Sequence, residues 1–197
     1  MLSQSIIAFL PLLAAVSAAS QGGAPPSTPP PSTTTATAAP TITPIGVEYY
    51  LQAQPLDQHP AKVVDNYVSP YHSGAGENNV TLGAQSEAFK AFLDPDGGYQ
   101  EFDLGLSYPN EFVMGGDIAI QGASLVAIDA GIGDAGFSIP SKEVGLTWNN
   151  TAFGGWLACN ITKQTTGLQL LWLNKTEESK EKAPKGCESV RLAPVYL

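Results

Sequence analysis

The sequence predicts an all-β domain, an antiparallel sandwich or jelly-roll-like fold carrying one disulfide. Three observations predict it. Short runs rich in Val, Leu, Tyr and Trp recur through residues 46–197, several of them alternating in polarity. Between the runs lie DPDGG, MGGD, GIGDAG and QTTG, whose Gly and Asp residues favour turns. Only one segment has a helical reading. Many short strands joined by such turns build sandwiches, jelly rolls or barrels.

The strands follow in order: Val47–Gln54, Tyr99–Leu106, Ala123–Ala130, Val144–Asn150, Gly155–Thr162, Leu168–Asn174 and Ser189–Tyr196. In GWLACNIT, Trp156, Ala158 and Asn160 point one way while Leu157, Cys159 and Ile161 point the other. The helical candidate is QSEAFKAFL, Gln85–Leu93. It is short, runs into Asp94-Pro95, and reads equally well as a strand.

Two segments precede this domain. Residues 1–18 read as a secretory signal: an apolar stretch, Ile6–Val16, is followed by small residues, with Val16 and Ala18 suiting peptidase cleavage. Its leading residues lack Lys and Arg, a mild departure from the pattern. Residues 19–45 read as a disordered linker dominated by Pro, Ser and Thr, too poor in apolar surface to offset its ordering entropy. Its hydroxyls suit O-glycans. No later stretch is long and apolar enough to span a bilayer, and ESVRLAPVYL does not suit a lipid-anchor signal. A secreted product without a membrane anchor is expected.

The formal net charge of −9 argues against nucleic acid or an anionic membrane as partner. Lysines concentrate in Asn174–Gly186, where they alternate with acids as in a solvated loop. Cys159 and Cys187 are the two cysteines, and in an exported chain they most simply form one disulfide. A nucleophilic cysteine would leave its partner unexplained.

GIGDAG places Gly131, Gly133 and Gly136 in G-x-G-x-x-G spacing after a strand. A dinucleotide site also needs a following helix and an acid about 20 residues on. FSIPSKEVGLTW offers neither. The glycines are expected instead to serve positive φ or close backbone approach in a strand connection, and no cofactor is expected.

SPYHSGAGENNVT sets His72 beside Ser73, but a triad meets by folding rather than by adjacency. The stretch reads as a surface loop bearing a glycan acceptor at Asn79. The same N-x-S/T pattern recurs at Asn149, Asn160 and Asn174. Asp94, Asp96 and Asp103 hint at calcium, yet Gly105 stands where the twelfth-position acid belongs, so an ordinary turn is expected. His59 and His72 lack a metal-ligand motif, and no metal is expected. Glu101, Asp103, Asp117 and Asp129 could supply the two carboxylates of a glycosidase. Asp117 and Asp134 read as readily as turn residues. Trp148, Trp156 and Trp172, with Tyr49, Tyr50 and Phe153, could stack on sugars, but core filling is the better reading.

Taken in order, YHSGAGENNVTL, FDLGLSYPNEFVMGGD, DAGIGDAGFSI, GLTWNNTAFGGWLAC and the late Cys187 resemble a family of small secreted fungal proteins. That family is known mainly as a domain of unknown function, with a loose likeness to fungal cell-wall and phialide-associated proteins. The resemblance covers about Val47 to Pro194. It implies an all-β extracellular domain with a Cys159–Cys187 bridge and brings no catalytic residues. The chain departs from it in the long Pro/Ser/Thr linker and in the charged insertion before Cys187. The expected role is a secreted, glycosylated, non-catalytic protein of the cell wall or extracellular matrix, or one facing a host. Its expected partner is cell-wall polysaccharide or an extracellular protein. The rival expectation is an extracellular carbohydrate-active enzyme using paired carboxylates such as Glu101 and Asp117.

Overall fold

The computed structural model describes residues 46–56, 63, 65–120, 122–161, 167–175 and 183–197, leaving out the side chains at 116–119. The expected signal, the expected linker and His59 lie outside the described residues. Within them the strands are β1 (Tyr49–Pro55), β2 (Asn66–Gly74), β3 (Glu77–Gly83), β4 (Lys90–Leu93), β5 (Gln100–Asp103) and β6 (Asn110–Ile120). They continue as β7 (Ala123–Ala130), β8 (Phe137–Ser138), β9 (Thr147–Trp148), β10 (Phe153–Asn160), β11 (Leu168–Asn174) and β12 (Cys187–Tyr196).

The all-β, antiparallel class holds, but the sandwich or jelly-roll form does not. Ten strands make one sheet that closes into a barrel. β12 pairs with β1 on one side, from Tyr49↔Tyr196 to Pro55↔Val190, and with β10 on the other. β10 continues to β11, so no edge separates one sheet from a second. β1 shares its other edge between β4, at Tyr49, and β2, at Gln52 and Ala53. β11 likewise meets β3 at Leu168 and Gln169, and β7 from Leu171 to Leu173. A barrel wall and a sandwich sheet carry the same alternation, which is why local pattern did not separate them.

Alternation along the strands fills the interior with Leu51, Val68, Val80, Phe112, Ile128, Trp156, Leu170 and Leu192. Phe112 lies near the middle of an aromatic cluster, its ring centroid 4.8 Å from Phe102, 5.8 Å from Phe137 and 5.9 Å from Trp156. The two expected faces of β10 are observed. Trp156 and Ala158 join this interior, whereas Leu157 and Cys159 join a smaller cluster on the opposite face with Leu171 and Leu173. Cys159 lies directly across from Cys187, and the two form the disulfide with Cα atoms 4.0 Å apart.

The helical reading of Gln85–Leu93 reduces to a single 3-10 turn at Gln85–Glu87, followed by β4, whose Ala91 and Phe92 are buried. The expected surface loop around His72 and Asn79 is instead a hairpin, with His72 on β2 opposite Asn78 on β3. β8 and β9 form a small separate ribbon. From it Phe137 stacks on both Trp148 and Trp156 and packs into the core.

Candidate functional site

Because Phe102, Phe112 and Ile128 face the interior, Glu101, Glu111 and Asp129 fall on the other face of β5, β6 and β7. Glu101 is the cross-strand partner of Glu111, and Glu111 that of Asp129. The three acids form a row. Like charges opposite one another are unfavourable, and each carboxyl titrates above its ordinary range. For Glu101 the causes are burial, then Glu111, then Asp94. Burial also raises Glu111, with a push from Asp94, while the Gly133 N–H acts against it. Asp129 is raised by burial and Glu77 and eased by the Asn78 N–H.

GIGDAG covers the middle of this row, at Glu111. Gly133 N donates to Glu111 Oε2 at 2.6 Å, Asp134 N donates to the Phe112 carbonyl at 2.9 Å, and Met114 N donates to Asp134 Oδ2 at 2.7 Å. A β-carbon at Gly133 would run into the Phe112 carbonyl oxygen and Glu111 Cβ. Gly131 and Gly136 adopt φ of 109° and 96°, where glycine is favoured. Both expected uses of the glycines are therefore present. Asp134 is not a local turn residue, however, since its carboxylate reaches across to β6.

The remaining expected site residues scatter. His72 and Ser73 are exposed on β2, and Ser73 Oγ donates to the Glu77 carbonyl. Asp94 accepts from Asp96 N and Asp103 from Gly105 N, each within its own turn. Among the described residues no three His, Cys, Asp or Glu side chains converge as metal ligands. Asp117 lies on β6 among the positions whose side chains are not described. Of the acceptor asparagines, Asn149 and Asn160 are exposed, Asn79 is half-buried on β3, and Asn174 ends β11 half-buried.

The aromatics divide between core and rim. Trp156 Nε1 donates to the Leu146 carbonyl and Trp148 Nε1 to the Ala135 carbonyl. Trp172 is buried, its ring 5.5 Å from Trp148. Phe153 packs at 5.0 Å from Trp156. Tyr49 is buried, with its hydroxyl donating to Gln100 Oε1 at 2.8 Å; burial pushes the phenol above its ordinary range despite that bond. Tyr50 remains half-buried beside Tyr67.

Strands β1 to β12 span one matching unit: the model of a domain of unknown function, DUF7907, matches residues 46–196. The chain belongs to the DUF7907 family. No curated protein and no solved structure matches it. The match therefore covers the whole described barrel of this DUF7907 domain. Beside its acidic row, Glu101, Asp103, Leu106, Tyr108 and Asn110 line a hollow of about 10 Å³, room for about one water. Sequence reasoning singled out Glu101 and Asp129 but passed over Glu111 and Asn78. The available signal for Glu111 was its place beside Phe112 in NEFVM, one step out of phase with the apolar positions.

Proposed function

We propose that this chain is a secreted, glycosylated, non-catalytic protein that binds cell-wall polysaccharide or an extracellular protein through its outer surface. The reading includes a fungal source and a place in the wall, in the matrix or facing a host. The observation that carries it is the pairing of a barrel filled by aromatic side chains with a hollow of about 10 Å³ beside the acids. A sugar ring needs far more room than one water. The acidic row also has an internal use, since Glu111 and Asp129 accept backbone N–H groups that fasten GIGDAG and β3. At this end of the barrel recognition is left to the outside, where Leu106, Tyr108 and Ile132 expose apolar surface near one another in sequence and loop. The bond from Gly131 N to the Pro109 carbonyl brings these two loops together.

The test is sedimentation of the purified full chain with insoluble wall glucan and chitin, alongside a glycan array and capture of secreted proteins. Retention by one class that falls at least fivefold in Tyr108→Ala supports the reading. Absence of retention by every polymer and protein defeats it.

The enzyme reading keeps one observation in its favour. Glu101 and Glu111 lie directly opposite, both held above their ordinary range, as a general acid needs. Release of reducing sugar from any wall polymer, abolished by Glu101→Gln, would establish it in place of the binding role.

A further inference from the structure

On the hairpin of β2 and β3, Tyr71 and Asn79 are cross-strand partners. Val68, Val80 and Leu82 face the barrel interior, so both of these side chains lie on the outer face. Residues directly opposite one another on one face hold their β-carbons about 4.5–5.5 Å apart. Tyr71 is 43 % exposed, although Tyr67, on the same face of the same strand, is buried. Asn79 is half-buried, and its partner on the other side is Ala127 of β7, also on the outer face. The asparagine thus stands between a large open ring and a single methyl group.

The fold uses neither side chain. Beside Asn79, the Asn78 Nδ2 donates to the Ile128 carbonyl at 2.8 Å, and Tyr67 packs edge-on against Tyr50. Among the described residues the Asn79 amide makes no hydrogen bond and the Tyr71 ring meets no other ring. Thr81 completes the acceptor pattern Asn79-Val80-Thr81. It shares the outer face, and its hydroxyl donates to the Ser69 carbonyl at 3.1 Å. Pairing with β2 and β7 holds the backbone at Asn79, so a group attached to its Nδ2 starts from a fixed place beside the ring. A sugar presents a face of C–H bonds, and an aromatic ring offers that face an electron-rich, apolar surface.

We propose that Tyr71 is the seat of a glycan carried by Asn79: the first N-acetylglucosamine lies against the Tyr71 ring and ties β3 to β2. This inference rests on the secreted, glycosylated reading above and adds to it the residue that receives the sugar. The transfer forms the bond from Asn79 Nδ2 to C1 of that sugar and breaks the C1–O bond to a lipid diphosphate carrier. The carrier leaves with the electron pair, and the amide gives up one proton. Once attached, the sugar covers the open ring across two strands that the hairpin tip otherwise links through the Ser73 hydroxyl and the Glu77 carbonyl.

The test is a double-mutant cycle on the full chain, secreted from a glycosylating host: parent, Asn79→Gln, Tyr71→Ala and the pair. Glycopeptide mapping should find Asn79 occupied. Asn79→Gln should lower the melting temperature by about 2–4 °C in the parent and by less than half of that in Tyr71→Ala. Tyr71→Phe should keep the full difference, and so should enzymatic trimming of the glycan to its first sugar. In the parent, the ring protons of that sugar should show an upfield ring-current shift. An equal loss in both backgrounds, or the absence of that shift, overturns the proposal. Should Tyr71→Ala fail to fold, the shift decides alone. An empty Asn79 beside glycan at Asn149 or Asn160 overturns the proposal and leaves the glycosylated reading standing. Four empty acceptors defeat both.

Discussion

Gly133 has no room for a β-carbon, because the Phe112 carbonyl and Glu111 Cβ occupy that space. Its N–H is in turn the donor that Glu111 Oε2 receives. Gly133→Val therefore forces the connection off β6 and should cost about 1–3 kcal/mol, the usual range for overpacking. Urea unfolding of the variant measures it. Glu111 offers a finer comparison at the same contact. Glu111→Ala leaves the Gly133 N–H without an acceptor and should lose about 1–2 kcal/mol. Glu111→Gln keeps an acceptor oxygen and removes a charge facing Glu101, so its loss should be smaller, or reversed at neutral pH. Equal losses in the two variants would show that the charge, and not the bond, governs this position.

Between strands, strength of pairing varies along the barrel. β1 and β12 pair over seven register positions, whereas β1 meets β4 at Tyr49↔Ala91 and β5 meets β6 at Glu101↔Glu111. Amide exchange should be fastest beside those two short seams and slowest in β1, β10 and β12. Uniform protection around the ring would contradict that ranking. The Cys159–Cys187 bridge staples β10 to β12, and Cys187→Ser should lower stability by about 3–4 kcal/mol on the chain-entropy account. At this scale much of the fold was legible. Ala123–Ala130 and Leu168–Asn174 were read at their observed bounds because each is a short apolar run, Leu125–Ile128 and Leu170–Leu173, bounded by turn residues. β2, β3 and most of β6 were not, since Asn, Pro and Gly, which disfavour strands, interrupt the Tyr, Val and Thr of NYVSPYHSG and ENNVTLG, and the GG of β6 interrupts that strand. They are strands because β1, β11 and β7 present edges for them to join. The GIGDAG connection was legible as a turn, but its buried partner was not. A bond spanning twenty-two residues leaves no local pattern.

For the molecule as a whole, the raised carboxyls of Glu101, Glu111 and Asp129 set a pH dependence. Groups held above their unfolded values bind protons more readily in the folded state. The stability they bring is complete below the unfolded values and is lost as pH rises through the folded ones. Glu143 is shifted the other way, chiefly by its own backbone N–H, but it is exposed and adds little. The melting temperature should therefore climb as pH falls from about 7 to about 5, and Glu101→Gln should flatten that climb. A melting temperature that falls steadily over this interval would refute the assignment. The closure of the wall by β12 has a further consequence, for kinetics. β1 is made early and must wait for a partner almost the whole domain away, so its edge stays open while the rest collects. Non-local closure of this kind makes for slow folding. Throughout that wait, β12 from a neighbouring copy fits the same gap. Crowded refolding should thus yield exchanged dimers whose fraction grows with concentration.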